Sequence, residues 1–251
     1  MQRYTFFWIC ANFFVLLHPI CGKLPKLRRN KMKKAYFFDM DGVLVNSMPN
    51  HAQAWAETLV RYGITFEPRD CYINEGRTSR DVILMLAEQQ GLFFTDEQVE
   101  TIYQEKTNAY RRLGGGTQMP GMKEVLTYLH EQGAQIWVVT GGGQPDLFDQ
   151  LEVFYPGIFR QDRMVTALQV PIGKPRPEPY LRALEGSGCA KEDCCVVENA
   201  PLGIQAGKAA GIFTIGVNTG PLKDTDLYDG GADIVLKDMV QLLEYIQREV
   251  K

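Results

Sequence analysis

The chain has 251 residues, of which 45% are hydrophobic and 23% are charged. These fractions are ordinary for a globular protein and exclude a disordered chain, a collagen-like repeat and a protein with several membrane spans. The formal net charge is −3, but the first 34 residues hold eight basic and no acidic residues, which leaves 19 basic against 30 acidic residues after them. This acidic body argues against a nucleic acid partner, because phosphate neutralisation needs clustered lysine and arginine. It is compatible with a small phosphorylated substrate whose charge a metal ion balances.

Residues 1–31 form a basic and apolar extension, for which two interpretations remain open. The stretch 4–17 is strongly apolar, and seven lysines or arginines follow it before the first predicted strand. A signal peptide or membrane anchor is one interpretation, although the apolar run is short and is followed by the charges rather than preceded by them. We favour the other, in which translation starts at Met32. The six cysteines of the full sequence form no CxxC pair and are expected to be reduced, which suits a cytoplasmic protein.

Short apolar runs alternate with helical segments over most of the remaining chain. The runs are apolar throughout, which is typical of strands in a parallel sheet covered on both faces. The predicted strands are Ala35–Met40, Gln135–Thr140, a weaker Met164–Ala167, Cys194–Glu198, Phe213–Asn218 and Ala232–Leu236. The predicted helices span about 121–132, 144–153, 177–187, 201–210 and 238–249. The alternation predicts an α/β fold with a doubly wound parallel sheet.

The segment 48–116 breaks this alternation, because it contains three helical patterns and no convincing strand. The third pattern opens with a capping box formed by Thr95 and Gln98. We therefore predict a helical cap domain over 48–116, inserted into a catalytic core made of 32–47 and 117–251. The glycines at 114–116 are expected to act as a hinge, because glycine tolerates large backbone changes.

Polar side chains follow several of the predicted strands. Ligands of an open α/β sheet bind beyond the carboxyl ends of its strands, so these side chains are expected to converge. The groups are Asp39 and Asp41 after the first strand, Thr140 and Gly141 after the second, Glu198 and Asn199 after the Cys194 strand, and Lys174 in a proline-rich loop.

The chemistry of these residues suits phosphoryl transfer. A carboxylate at the buried position of Asp39 needs a cation, and Mg²⁺ prefers oxygen ligands such as Asp39, Asn199 and Glu198. Asp39 can also act as a nucleophile and Asp41 as the acid and base. The Thr140 hydroxyl, the following backbone N–H groups and the Lys174 ammonium can compensate the phosphoryl charge.

Four motifs in order resemble those of the haloacid dehalogenase superfamily of phosphotransferases, over about residues 35–251. They are Phe38-Asp39-Met40-Asp41-Gly42-Val43-Leu44-Val45-Asn46-Ser47, Thr140-Gly141, Lys174 in Gly-Lys-Pro-Arg-Pro-Glu-Pro-Tyr, and Glu198-Asn199-Ala-Pro-Leu-Gly-Ile. The resemblance implies a Rossmann-like core with a helical cap, Mg²⁺ dependence and an aspartyl-phosphate intermediate. It also implies that Asp39 is the nucleophile, that Asp41 is the general acid and base, and that the Asp41 backbone carbonyl binds the metal.

Within the superfamily, the insertion site, His51 and Trp55 resemble the β-phosphoglucomutase subgroup. Glu75-Gly-Arg-Thr78 and the other shared pieces are similar to the inorganic pyrophosphatases of that subgroup from Bacteroides-type bacteria. Arg77, which can reach a phosphate from the cap, is grouped with Gly141 and His51 on the substrate side; His51 is also expected to support the hinge.

Two departures from the mutase pattern favour pyrophosphate as the substrate. Glu75 replaces a lysine, and Ser79 replaces the arginine that would hold a distal sugar phosphate. The carboxylate of Glu75 can accept hydrogen bonds from Mg²⁺-bound waters, which suits Mg-pyrophosphate. We therefore expect a Mg²⁺-dependent inorganic pyrophosphatase with no obligatory protein partner. The alternatives are a β-phosphoglucomutase or sugar-phosphate phosphatase and, more remotely, a non-catalytic binding protein on the same fold.

Overall fold

The computed structural model describes residues 32–143, 146–170 and 172–250, and these residues form one compact unit. The N-terminal extension, with the interpretations given for it, lies outside the described residues. Among the helices of these ranges, none combines the length and the apolarity needed to cross a bilayer.

The core is a six-stranded parallel sheet. Its strands are β1 (Ala35–Phe38), β4 (Gln135–Val139), β5 (Met164–Val165), β6 (Cys194–Glu198), β7 (Phe213–Val217) and β8 (Ile234–Leu236). They lie side by side in the order β5-β4-β1-β6-β7-β8. The helices that follow these strands are α5 (Met122–Glu131), α6 (Leu147–Phe154), α7 (Glu178–Ser187), α8 (Pro201–Ala209), α9 (Asp224–Asp229) and α10 (Met239–Val250). The predicted doubly wound α/β class is confirmed. The strand order reverses at β1, so the crevice for a ligand opens at its carboxyl end.

Both faces of the sheet are buried, as the continuously apolar strands require. Tyr36 and Phe38 of β1 point into one hydrophobic cluster, while Ala35 and Phe37 point into another on the opposite face. Successive residues of a strand face opposite sides, so a strand without polar positions is stable only when helices cover both. This burial fixes β1 and β6 at the centre, where their carboxyl ends support polar side chains.

A helical insert, which we define as residues 48–112, lies along the chain between β1 and the remaining strands of the sheet. It contains α1 (Met48–Leu59), α2 (Pro68–Ile73), α3 (Ser79–Gln89) and α4 (Asp96–Arg112). The capping box of Thr95 and Gln98 is present at the start of α4. The apolar residues of the insert form a hydrophobic cluster that also includes Ile204 and Leu227 of the sheet-flanking helices. The insert therefore packs directly against the core.

Two short strands, β2 (Val45–Asn46) and β3 (Thr117–Gln118), pair antiparallel where the chain enters and leaves the insert. The sequence predicted no strand here, because two-residue strands leave no periodic signal. Gly114 and Gly115 adopt positive φ angles of 84° and 68°. Gly116 has a different role, since a Cβ there would lie 2.3 Å from Val45 Cγ1. In the expected three-glycine hinge, Gly114 and Gly115 thus adopt the left-handed conformation, while Gly116 is required for close packing against Val45.

Candidate active site

Ten of the eleven predicted site residues line one cavity of about 1050 Å³ between the sheet edge and the helical insert. They are Asp39, Asp41, His51, Glu75, Arg77, Ser79, Thr140, Gly141, Lys174 and Glu198. The remaining residue, Asn199, is buried behind the cavity and donates from Nδ2 to Glu75 Oε2 at 2.8 Å. The structure therefore brings all of the predicted site residues together, while their individual roles stay predictions.

Lys174 and Asp39 form the floor of this cavity, and both are at least 90% buried. The Lys174 ammonium donates to Asp39 Oδ1, to Glu198 Oε1 at 2.6 Å and to the Val139 carbonyl at 3.1 Å. Because a lysine has three N–H donors, this arrangement uses all of them and fixes the position of the ammonium. Asp39 is held by its place directly after β1, where its backbone N–H donates to the Val197 carbonyl at 3.0 Å.

Burial and the neighbouring Glu198 carboxylate raise the pKa of Asp39 to about 7, although the Lys174 ammonium opposes the shift. The pKa of Glu75 is raised well above its ordinary range by burial and by the carboxylates of Asp39 and Glu198. Both shifts have one physical origin: several carboxylates share a site with little water. A bound cation would stabilise the ionised forms.

Asp41 stands at the wall of the cavity beside residues of the insert. It accepts a hydrogen bond from the Ser47 hydroxyl, and His51 Nε2 lies 3.7 Å from its Oδ1. Burial disfavours its charged form, but His51, the Ser47 hydroxyl and the Lys106 charge outweigh burial and lower the pKa of Asp41. Asp41 is therefore a carboxylate at neutral pH, as a base that accepts a proton must be.

The sequence analysis missed Lys106, which is 8% exposed and lies 3.0 Å from His51 Nδ1. It lies on α4 four residues after Ile102 and three before Ala109, both buried. A lysine on the apolar face of an amphipathic helix was the available signal. Ser47 and Tyr180 were also missed as site residues. The Ser47 hydroxyl reaches Asp41 through the turn that follows β1, and the Tyr180 hydroxyl reaches Glu198 from α7, and neither contact leaves a pattern in the sequence.

Thr140 is buried at the end of β4, and its Oγ1 accepts a hydrogen bond from the Gly142 N–H at 3.0 Å. This bond turns the chain so that Gly141 is exposed at the cavity. The hydroxyl proton of Thr140 is left to donate to an anion in the cavity. Arg77 and Ser79 line the outer part, where the Arg77 guanidinium donates to Asn74 Oδ1 at 3.2 Å.

The oxygen donors around Asp39 fit a divalent cation. Asn199 Oδ1 and Glu75 Oε1 are both buried without a hydrogen-bond partner among the described residues. Such oxygens are costly unless a donor or a cation meets them. In the described ranges no three His, Cys, Asp or Glu side chains converge as a metal cluster. The candidate set instead combines the Asp39 carboxylate with the Asn199 amide oxygen, and oxygen ligands of this kind suit Mg²⁺.

Glu198 is predicted to bind the metal alongside Asp39 and Asn199, and this role stays a prediction. Its Oε1 accepts from Lys174 and from the Tyr180 hydroxyl, each at 2.6 Å, and its Oε2 accepts from the Asn199 N–H at 3.2 Å. A carboxylate with both oxygens engaged in this way is placed to orient the ammonium of Lys174.

We expect the thermal stability of the metal-free chain to fall as the pH rises from 5 to 8. A carboxyl group with a raised folded-state pKa stabilises the fold below its unfolded pKa of about 4, and this contribution is lost as the pH passes the folded value. Asp39 and Glu75 both act in this direction. A loss of about 5 °C or more in Tm is expected, since one pKa unit corresponds to about 1.4 kcal/mol.

Circular dichroism melts at several pH values, with EDTA or with excess Mg²⁺, measure this effect. The Glu75→Gln variant should show a shallower pH dependence without metal, and Mg²⁺ should stabilise the chain more at pH 8 than at pH 5. A metal-free Tm that rises or stays constant over this range would contradict the assignment of shared buried carboxylates.

Comparisons with known proteins identify the family of this chain. A sequence profile of haloacid dehalogenase-like hydrolases matches residues 33–211. The chain is 31% identical over 209 residues to Hexitol phosphatase A of Escherichia coli, covering 83% of this chain and 93% of the relative. It is 31% identical over 232 residues to Glycerol-1-phosphate phosphohydrolase 1 of Saccharomyces cerevisiae, covering 88% and 86%. A solved structure of a candidate beta-phosphoglucomutase from Bacteroides vulgatus has a TM-score of 0.79 and 44% identity, covering 88% of this chain and 92% of that one.

Proposed function

The chain belongs to the haloacid dehalogenase-like hydrolases, and we propose that it hydrolyses phosphomonoesters of small carbohydrates or polyols with Mg²⁺ as cofactor. The observation that carries this proposal is the pairing of buried Asp39 with Lys174 at the floor of a cavity whose wall presents Asp41. The names of the relatives favour this substrate class over pyrophosphate. A cavity of about 1050 Å³ also has room for a sugar beyond the phosphate.

The reaction proceeds in two halves on the residues of this chain. A carboxylate oxygen of Asp39 attacks the phosphorus, and the bond from phosphorus to the substrate oxygen breaks. Asp41, which is ionised in the empty site, takes up a proton when the negatively charged substrate binds beside it and gives that proton to the substrate oxygen. Asp41 then takes a proton from a water molecule, whose oxygen attacks the phosphorus and releases phosphate from Asp39. Lys174 and Thr140 stabilise the phosphoryl charge.

The Asp39 carboxylate and the Asn199 amide oxygen would hold the Mg²⁺, as the unpartnered Asn199 Oδ1 supports. When bound, the ion supplies positive charge against the phosphoryl oxygens. Glu75, whose Oε1 is also without a partner, is placed to accept hydrogen bonds from water near the ion.

Inorganic pyrophosphate is the second candidate substrate, and the position of Glu75 favours it. Glu75 contributes a carboxylate from the insert beside Asn199. The negative charge of this carboxylate would repel the phosphate group of a sugar phosphate. A substrate that carries its own metal ions tolerates this carboxylate better than a bare phosphate does. For either substrate, we propose that the protein acts in the cytoplasm.

Phosphate release by the full chain with Mg²⁺ separates these functions. The panel contains a hexitol phosphate, glycerol 1-phosphate, fructose 1-phosphate and pyrophosphate, together with β-glucose 1-phosphate assayed for glucose 6-phosphate. A preference for the carbohydrate and polyol esters supports the main proposal, and a preference for pyrophosphate supports the second. Formation of glucose 6-phosphate without phosphate release would replace both with a mutase.

We expect Glu75→Lys to raise the turnover of carbohydrate phosphates relative to pyrophosphate at least about threefold, because the change replaces a repulsive charge with an attractive one. The ratio of kcat/KM for the two substrate classes measures this effect. Glu88→Lys is the control, since this substitution makes the same charge change at an exposed position of α3. Equal ratios in the two variants would remove Glu75 from substrate selection.

A further inference from the structure

Tyr180 is fully buried on α7, six residues after Lys174, and its ring belongs to the hydrophobic cluster on one face of the sheet. Its hydroxyl nevertheless points to the site, where it donates to Glu198 Oε1 at 2.6 Å. The Lys174 ammonium lies 5.2 Å from the centre of the same ring. One side chain thus contacts both the Lys174 ammonium and the Glu198 carboxylate that accepts from it.

The Glu198 carboxylate is confined by these contacts. Tyr180 and Lys174 donate to Oε1, and the Asn199 backbone N–H donates to Oε2. A Cβ at Gly203 would lie 1.9 Å from Oε1, so only glycine leaves room for the carboxylate in this orientation. Removal of the tyrosine hydroxyl would take away one of the hydrogen-bond donors that fix the orientation of the Glu198 carboxylate.

We propose that Tyr180 is a positioning residue for the phosphoryl-transfer reaction, in which its hydroxyl orients Glu198 and Glu198 holds the Lys174 ammonium against Asp39. This inference rests on the proposed function, because it assigns Tyr180 to the chemistry of that same site. Tyr180 is not among the residues that line the cavity, so its effect would reach the reacting atoms through Glu198 and Lys174. A role in packing alone would not require the hydroxyl.

The variant Tyr180→Phe tests this because it keeps the ring and removes the hydroxyl. We expect kcat to fall about 10-fold or more with KM within about twofold, as losses of outer contacts to site residues typically do. Tyr155→Phe is the matched control, since Tyr155 is also buried and its hydroxyl donates to the Leu44 carbonyl at 2.6 Å, away from Lys174 and Glu198. Its kcat should stay within about twofold of wild type.

A double-mutant cycle with Glu198→Ala identifies the route of the effect. If Tyr180 acts through Glu198, then Tyr180→Phe should change kcat by less than about threefold in the Glu198→Ala background. Equal effects in both backgrounds would show a purely structural role and overturn the proposal. A kcat of Tyr180→Phe equal to that of wild type would overturn it as well.

A binding measurement separates this inference from the proposed substrate class. Beryllium fluoride with Mg²⁺ is the probe, because it mimics a phosphoryl group on an aspartate, and the readout is the rise in Tm of the full chain. We expect the rise in Tyr180→Phe to be at most about half that of wild type and of Tyr155→Phe. If wild type releases no phosphate from the panel but shows this rise, the proposed function fails while Tyr180 is still tested. If wild type shows neither activity nor a rise, both fail.

Discussion

Replacement of Asp39 by asparagine is expected to abolish phosphate release, with a loss of about 10⁴-fold or more in kcat. The reason is chemical rather than structural, because an amide oxygen is a poor nucleophile and cannot form the acyl phosphate. The substitution also removes one of several carboxylates crowded near Lys174. The metal-free variant should therefore be at least as stable as the wild type at pH 8.

Asp162→Asn is the matched control for this variant, because Asp162 is an exposed aspartate paired with Arg160 at 2.8 Å. It should keep the wild-type kcat. Phosphate release is measured on the best substrate of the panel, and melts at pH 8 confirm that both variants are folded. A folded Asp39→Asn variant that retains more than about a tenth of the wild-type kcat would overturn the assignment of Asp39 as the nucleophile.

Replacement of Lys174 by methionine is expected to lower kcat about 10³-fold and to destabilise the fold. Lys174 is the cation that bonds directly to both Asp39 and Glu198, and its three donors are all used. Methionine has a similar length but leaves two buried carboxylates without their partner. Breaking a buried ion pair by removal of one member costs about 3–5 kcal/mol.

The stability loss in Lys174→Met should be larger at pH 8 than at pH 5, since the stranded carboxylates can be neutralised by protons at the lower pH. Lys208→Met serves as the control, because Lys208 bonds Asp233 at 2.6 Å in a partly exposed pair, and neither residue lines the cavity. That pair should contribute little to stability and nothing to kcat. A Lys174→Met variant with equal losses at the two pH values would contradict the buried-carboxylate explanation.

The main architecture could be predicted because it follows from local patterns. Continuously apolar runs such as Cys194–Glu198 require a sheet that is covered on both faces, and the spacing of polar residues after them indicated which edge carries the site. The observed bounds of that strand match the prediction, as does the capping box at Thr95. The short helix α2 and the β2–β3 pair were not predicted, because elements of two to six residues are stabilised by their neighbours more than by their own pattern.

For the site, the sequence was sufficient to predict which groups meet at the carboxyl ends of the strands, because Asp39 and Thr140 directly follow strands of one parallel sheet and Glu198 ends another. It could not determine what each group bonds to. Lys106 on α4 reaches His51 on α1, and Tyr180 reaches Glu198 from α7. These contacts join residues distant in sequence, and their geometry depends on packing that no local pattern encodes. The bonds of Glu198 to the Lys174 ammonium and to the Asn199 N–H are therefore visible only in the tertiary structure, because they form only once the fold is complete.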